Sequence, residues 1–177
     1  MTSPRSRVLR ATILTATGCL LLGGTVAAAL TLRAPAPQIT ASGVGAVRLG
    51  RTYSALHAAG RVGRIGPACE LKGPGSRSAT LRAPLTGWVD LTRSAPRRVR
   101  VIAIRSGAKA RGVGVGSSQA QVTRAFPKAV VDHSTDKMFG ITLVKVPKAA
   151  GGSMAFAIST RTKKVTLVGV PHIEICE

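Results

Sequence analysis

The sequence predicts an α+β protein: two tandem helix-plus-antiparallel-sheet repeats after an N-terminal export segment. Three observations predict it. The stretch from Gly112 to Pro127 (Gly-Val-Gly-Val-Gly-Ser-Ser-Gln-Ala-Gln-Val-Thr-Arg-Ala-Phe-Pro) reads as a strand stub, a glycine turn, a capped helix and a proline stop. A weaker copy runs from Ala46 to Gly60, and setting Gly50 on Gly116 gives an offset of 66 residues. The same offset sets Arg97–Ile104 on Lys163–Val170, basic on basic and apolar on apolar, with no net insertion between the blocks. Two blocks sharing one offset are the mark of an internal repeat.

Residues 1–33 stand apart from this pattern. Arg5, Arg7 and Arg10 form a basic start, and 11–32 is an uncharged run of 22 residues closed by Arg33. This is an export signal with its basic end left in the cytoplasm. Ala27-Ala28-Ala29 offers small residues to a signal peptidase, and the run is also long enough to span a bilayer, which takes ~20 residues. The segment is therefore a cleaved signal peptide or a retained membrane anchor. Cys19 sits inside the apolar run, a poor place for the lipid-carrying first residue of a mature chain. Residues 34–43, with Pro35 and Pro37, read as a linker, and 44–177 as the exported domain, divided into repeats 44–109 and 110–177.

In the first repeat, Val47 and Leu49 alternate as in a short strand. Thr52 caps a helix with Leu56 and Ala59 on its apolar stripe, and Gly60 ends it. Gly73, Pro74 and Gly75 break the chain. Ser78–Arg82, Trp88–Thr92 and Arg98–Ile104 read as strands, with a turn at Ser94-Ala95-Pro96. In the second repeat, Ser118 and Gln121 have capping-box spacing, Val122, Ala125 and Phe126 form the buried stripe, and Pro127 stops the helix. Phe139–Val146, Met154–Ser159 and Val165–Val170 read as strands, with His172–Cys176 a short final one. Leu56, Val99, Val101, Val122, Phe126, Val165 and Leu167 are the expected core.

The two Gly-turn-helix blocks, Val-x-Leu-Gly-x-Thr-x-x-x-Leu from Val47 and Val-x-Val-Gly-x-Ser-x-x-x-Val from Val113, carry a resemblance. They look like the scaffold signature shared by the small outer-membrane assembly lipoproteins and the β-lactamase inhibitory proteins. Arg51 and Ser117 stand where that signature usually has Met. The resemblance implies helices packed on antiparallel sheet, with two units in tandem as in the inhibitory proteins. It brings no functional residue, because their inhibitory contacts lie outside the matched blocks and fold does not dictate function.

Chemistry-bearing groups are few. Cys69 and Cys176 are the two cysteines beyond the export segment, and an even pair in an oxidising compartment reads as a disulfide. Asp132 and His133 are adjacent, so in a strand they face opposite ways and make a poor dyad. His172, Glu174 and Cys176 alternate and would share a strand face, a metal half-site at most, against a disulfide at Cys176 beside two surface polar groups. Gly112, Gly114 and Gly116 precede a helix but lack dinucleotide-fingerprint spacing. The sequence thus calls for no catalytic residue, no metal and no cofactor.

Charge is the anomaly. Arg5, Arg7, Arg10 and Arg33 account for four of the 26 Lys and Arg, leaving 22 against six Asp and Glu, a net +16 beyond the export segment. Preference for Ala, Arg, Gly and Val fits a GC-rich coding sequence, which supplies part of that excess. Arg93, Arg97, Arg98 and Arg100 cluster in one hairpin and Arg161, Lys163 and Lys164 in the equivalent one; Arg97, Arg98, Arg100, Arg161, Lys163 and Lys164 are the candidate anion contacts. Such a field draws polyanions. Aromatics make up 3% of the chain, too few for base stacking, and export argues further against a specific nucleic-acid partner. The chain reads as an exported, non-enzymatic binding or scaffold module of a bacterial cell envelope. Its partner would be an anionic envelope polymer or a protein, and it would touch membrane only through its N-terminal segment. The alternative is a secreted proteinaceous enzyme inhibitor, which rests on the resemblance alone.

Overall fold

The computed structural model describes residues 36–149 and 152–175. The expected export segment, and with it Cys19, lies outside the described residues, as does Cys176. The described residues begin with three two-residue strands, β1 (Ile39–Thr40), β2 (Gly43–Val44) and β3 (Val47–Arg48), which pair antiparallel as a small sheet. β1 falls in the expected linker and is held there by Ile39 N–H donating to Lys109 O at 2.7 Å. Helix α1 (Tyr53–Ala58) follows, then β4 (Val62–Pro67), a 3-10 turn at Glu70–Lys72, β5 (Arg77–Leu81), β6 (Thr86–Leu91) and β7 (Val99–Ser106). The second half supplies α2 (Gln119–Ala125), β8 (Val130–Asp132), α3 (Asp136–Phe139), β9 (Ile141–Ala149), β10 (Gly152–Ser159) and β11 (Val165–Val170). Strands β4 to β11 form one antiparallel sheet in the order β4-β5-β6-β7-β11-β10-β9-β8.

This corrects the expected class. The described residues are mostly β, 47% strand and 14% helix, with an eight-stranded and a three-stranded antiparallel sheet instead of two helix-plus-sheet repeats. The helix signals were read in the right places, but they specify less than two turns each. Thr52 Oγ1 accepts from Ala55 N–H, and α1 then buries one side chain, Leu56. Ser118 and Gln121 form the full capping box, and α2 buries one side chain, Val122. Helices of six and seven residues cannot build a layer. The β-rich runs around them claim the rest of the chain.

The 66-residue offset appears as matched backbone bonds. Gly50 N–H donates to Val99 O and Gly116 N–H to Val165 O, each at 2.8 Å. The return bonds match too: Val99 N–H to Arg51 O at 2.9 Å, and Val165 N–H to Ser117 O at 2.8 Å. Gly50 and Gly116 hold φ of +79° and +89°, which L side chains adopt only under strain. Each half thus ties its glycine turn to the start of its own last strand. Those last strands, β7 and β11, meet at the middle of the sheet through Ile104 and Val168, Ala103 and Gly169, and Ile102 and Val170.

The core lies on one face of the large sheet. Leu56, Val122, Phe126, Val44 and Val47 pack there on Val62, Val89, Val99, Ile102, Ile104, Val144, Phe156, Ile158, Val165, Val168 and Val170. The Phe126 and Phe156 ring centroids are 5.6 Å apart. Of the expected core residues Leu167 is the exception: it is half-buried. It pairs opposite Ala157, one place along from the Phe156–Val168 pair, so the strand alternation turns it to the second face. That face carries small buried side chains, Val101, Ala103, Ala155 and Ala157, beside Leu143.

Of the expected strand His172–Cys176, the described part forms no strand; 171–175 is irregular. It lies flat on the second face instead. A Cβ at Gly169 would come within 2.3 Å of His172 O and 2.5 Å of Ile173 Cγ1, so the tail rests directly on the glycine's bare backbone. Ser153 Oγ donates to Pro171 O at 3.0 Å. Proline has no N–H for the ladder, which is reason enough for the strand to stop there.

Candidate functional site

At the end of the sheet where β5 begins and β6 ends, a cleft of about 280 Å³ opens. The 3-10 turn supplies Lys72, the start of β5 supplies Ser76 and Arg77, the end of β6 and its turn supply Asp90, Leu91, Thr92 and Arg93, and β7 supplies Arg100. Lys72 is the hub. Its ammonium binds the Asp90 carboxylate, and it lies 2.5 Å from Glu174 Oε2. The Lys72 side chain is 10% exposed and that of Asp90 3%. Arg100 Nη2 donates to Glu174 Oε1 at 2.7 Å, and His172 Nε2 lies 3.3 Å from the same oxygen. The tail is therefore anchored at the cleft by its one carboxylate among the described residues.

Burial pushes the Glu174 carboxyl up. Hydrogen bonds from Lys72 and His172 and the positive charges of Lys72 and Arg100 outweigh that, and its pKa lies below the ordinary carboxylate value. Two guanidiniums at the cleft are fixed by backbone. Arg93 Nη2 donates to Lys72 O at 2.5 Å, and Arg77 Nη1 to Ser76 O at 3.0 Å.

The sequence-derived candidates divide. Arg97 Nη1 donates to Thr92 O at 3.5 Å, Arg98 Nη1 donates to Gly50 O at 2.9 Å, and Arg100 lines the cleft. Arg161, Lys163 and Lys164 are exposed in the β10–β11 turn. Because β7 and β11 run antiparallel, that turn lies at the opposite end of the strands from the β6–β7 turn. The β7–β11 register sets Lys164 level with residue 108, so the two basic groups are eight to ten residues apart along the strands, roughly 30 Å. Of the first group only Arg100 joins Arg93, its neighbour in the same basic cluster, at the cleft, together with Lys72 and Arg77, which no local sequence feature singles out. The available signal was Asp90, one acid in the apolar strand run Trp88-Val89-Asp90-Leu91, which calls for a buried cation.

Cys69 is disulfide-bonded. Its expected partner Cys176 lies outside the described residues, and two residues before it Glu174 pairs with Lys72, three residues after Cys69. His133 Nδ1 meets Asp136 Oδ2 at 2.8 Å rather than its neighbour Asp132. The hydrogen bond from His133, helped by Thr142, holds Asp136 below the usual carboxylate range. Lys145 and Ser134 do the same for Asp132. Among the described residues no hydroxyl or thiol bonds to the His133 ring. Nor does any set of three His, Cys, Asp or Glu converge there as for a metal. Gly112 and Gly116 have positive φ and serve turns. Among the described residues no helix is long and apolar enough to cross a membrane.

No protein-family model matches the chain, and neither a curated protein nor a solved structure matches it.

Proposed function

We propose that this chain is an exported, non-enzymatic binding module of a bacterial cell envelope, holding an anionic envelope polymer or an acidic protein partner on its basic surface. One observation carries the reading. Of the described Lys and Arg side chains, only Lys72, Arg100 and Lys145 pair with a carboxylate. The other described Lys and Arg side chains have no carboxylate partner, so among the described residues the charge excess is a field presented to solvent rather than an internal network. Export rests on the basic start and the uncharged run 11–32. Sedimentation of the purified protein with isolated cell wall and with anionic and zwitterionic vesicles tests this. Binding to the anionic surfaces that weakens linearly with the logarithm of salt is expected. No binding at low salt would sink the reading.

A second reading, a secreted enzyme inhibitor, is favoured by the second sheet face. There Arg105 stands 5.1 Å over the Trp88 ring and Leu167 is half-buried, an aromatic, cationic and aliphatic set of the kind that anchors protein interfaces. The resemblance at the glycine-turn blocks agrees with it. Capture from culture fluid of a hydrolase that loses activity on the complex would put this reading first; capture without loss of activity would remove it.

A further inference from the structure

We propose that the cleft between Lys72, Arg77, Arg93 and Arg100 is a binding site for a phosphate group, whether carried by an envelope polymer or by a lipid headgroup. The proposal rests on the basic-surface reading and names where that surface acts. The charges at the cleft do not balance. Lys72, Arg77, Arg93 and Arg100 bring four positive charges, and Asp90 and Glu174 bring two negative ones. Both carboxylates are already held by Lys72, and Glu174 also by Arg100. Arg77 and Arg93 therefore face the cleft with no carboxylate of their own.

Their geometry is set in advance. Arg93 reaches back across 21 residues to Lys72 O, and Arg77 is tied to Ser76 O, each by one nitrogen of its fork. The remaining N–H groups are available, and a guanidinium that is already fixed loses less conformational freedom on binding. The two forks come from different elements, Arg77 from the start of β5 and Arg93 from the turn after β6, so they suit an acceptor whose oxygens point several ways. A phosphate offers that arrangement, whereas a carboxylate offers two oxygens in one plane. Leu91 and Ala68 give an apolar wall for the carbon chain beside the phosphate. The volume of about 280 Å³ falls at the small end of ligand clefts, which fits one headgroup-sized unit. No aromatic side chain lines the cleft, so nothing there would stack a nucleobase.

The test measures binding of the purified protein to inorganic polyphosphate, poly-glutamate, and vesicles of phosphatidylglycerol or phosphatidylcholine. The cleft variant is Arg77→Ala/Arg93→Ala; the control Arg161→Ala/Lys163→Ala/Lys164→Ala removes more charge at the far end. The cleft variant should lose about tenfold in affinity for polyphosphate or phosphatidylglycerol, a change of about 1.4 kcal/mol, and the control less than about threefold. Arg77→Lys/Arg93→Lys keeps the charge but not the forks and should still lose about threefold, which guards against a folding defect in the alanine variant. Loss on polyphosphate assigns the phosphate to a soluble polymer, and loss confined to phosphatidylglycerol vesicles assigns it to a lipid. Equal losses from cleft and far-end variants, or poly-glutamate held as tightly and as dependent on Arg77 and Arg93, would overturn the cleft assignment while leaving the basic-surface reading intact. Wild-type protein that binds none of the anionic probes would overturn both.

Discussion

Replacing Lys72 by methionine isolates the hub of the cleft. Methionine keeps the length and apolar stem and removes the charge. Asp90, 2% exposed, then loses the cation that is its side-chain partner, whereas Glu174 keeps Arg100. Removing one partner of a buried pair costs about 3–5 kcal/mol, because the other charge is left unpaired away from water. Lys72 retains slight exposure, so the low end, about 3 kcal/mol, is expected. With a urea slope of about 2 kcal/mol/M the unfolding midpoint falls by about 1.5 M. Lys72→Met/Asp90→Leu should recover most of this, since no stranded charge remains. The two single variants and the double one close a cycle with a coupling of about 2 kcal/mol. Urea unfolding followed by far-UV circular dichroism measures all four proteins. A midpoint drop under about 0.3 M in Lys72→Met, or a double variant no better than the single, would refute the reasoning.

Glu174 gives a pH prediction. Its folded pKa is lowered, so its contribution is present above the ordinary carboxylate value and is lost as pH falls through the lowered one. The tail should loosen below about pH 4.3, seen as faster amide exchange at His172–Ile175 with the sheet unchanged, and Glu174→Gln should abolish the pH dependence. Leu56→Ala should cost about 3 kcal/mol by the same urea assay, and Val122→Asp should leave the chain unfolded by circular dichroism, because both sites are sealed in the core. Peptide mapping without reductant should recover Cys69 joined to Cys176, and Cys69→Ala should cost about 2–5 kcal/mol; a Cys69 linked elsewhere would remove the proposed pairing.

Local signals carried much of the fold. Caps at Thr52 and Ser118, the stop at Pro127 and the Val/Ile runs of β7 and β11 are short-range features, and each placed its element within a few residues. β4 escaped because Val62-Gly-Arg-Ile-Gly-Pro reads as a loop; two glycines and a proline are tolerated only because the strand is at the sheet edge. Class was misjudged because capping marks where a helix starts but not that it lasts under two turns. The cleft was half legible. Arg97, Arg98 and Arg100 stand out as a run, but Lys72 lies 18 residues from Asp90 and 102 from Glu174, and no local pattern announces such a meeting. Nor could the 66-residue sequence offset show that the two matched hairpins end up on opposite ends of a sheet; antiparallel pairing of β7 with β11 decides that.

The large sheet ends in two strands that offer little to a second molecule. β8 has three residues, and Asp132 at its end pairs with Lys145 on the next strand. β4 carries Pro67, which cannot donate, and an irregular register against β5 between Val62 and Ile65. Edges this short, bent and charged make poor templates for strand addition, and the strong positive field keeps copies apart. A protein this rich in β structure, whose longest described helix has seven residues, would otherwise be prone to pairing edge to edge. It should therefore stay monodisperse when concentrated at neutral pH and low salt, and begin to associate where polyanions neutralise its surface.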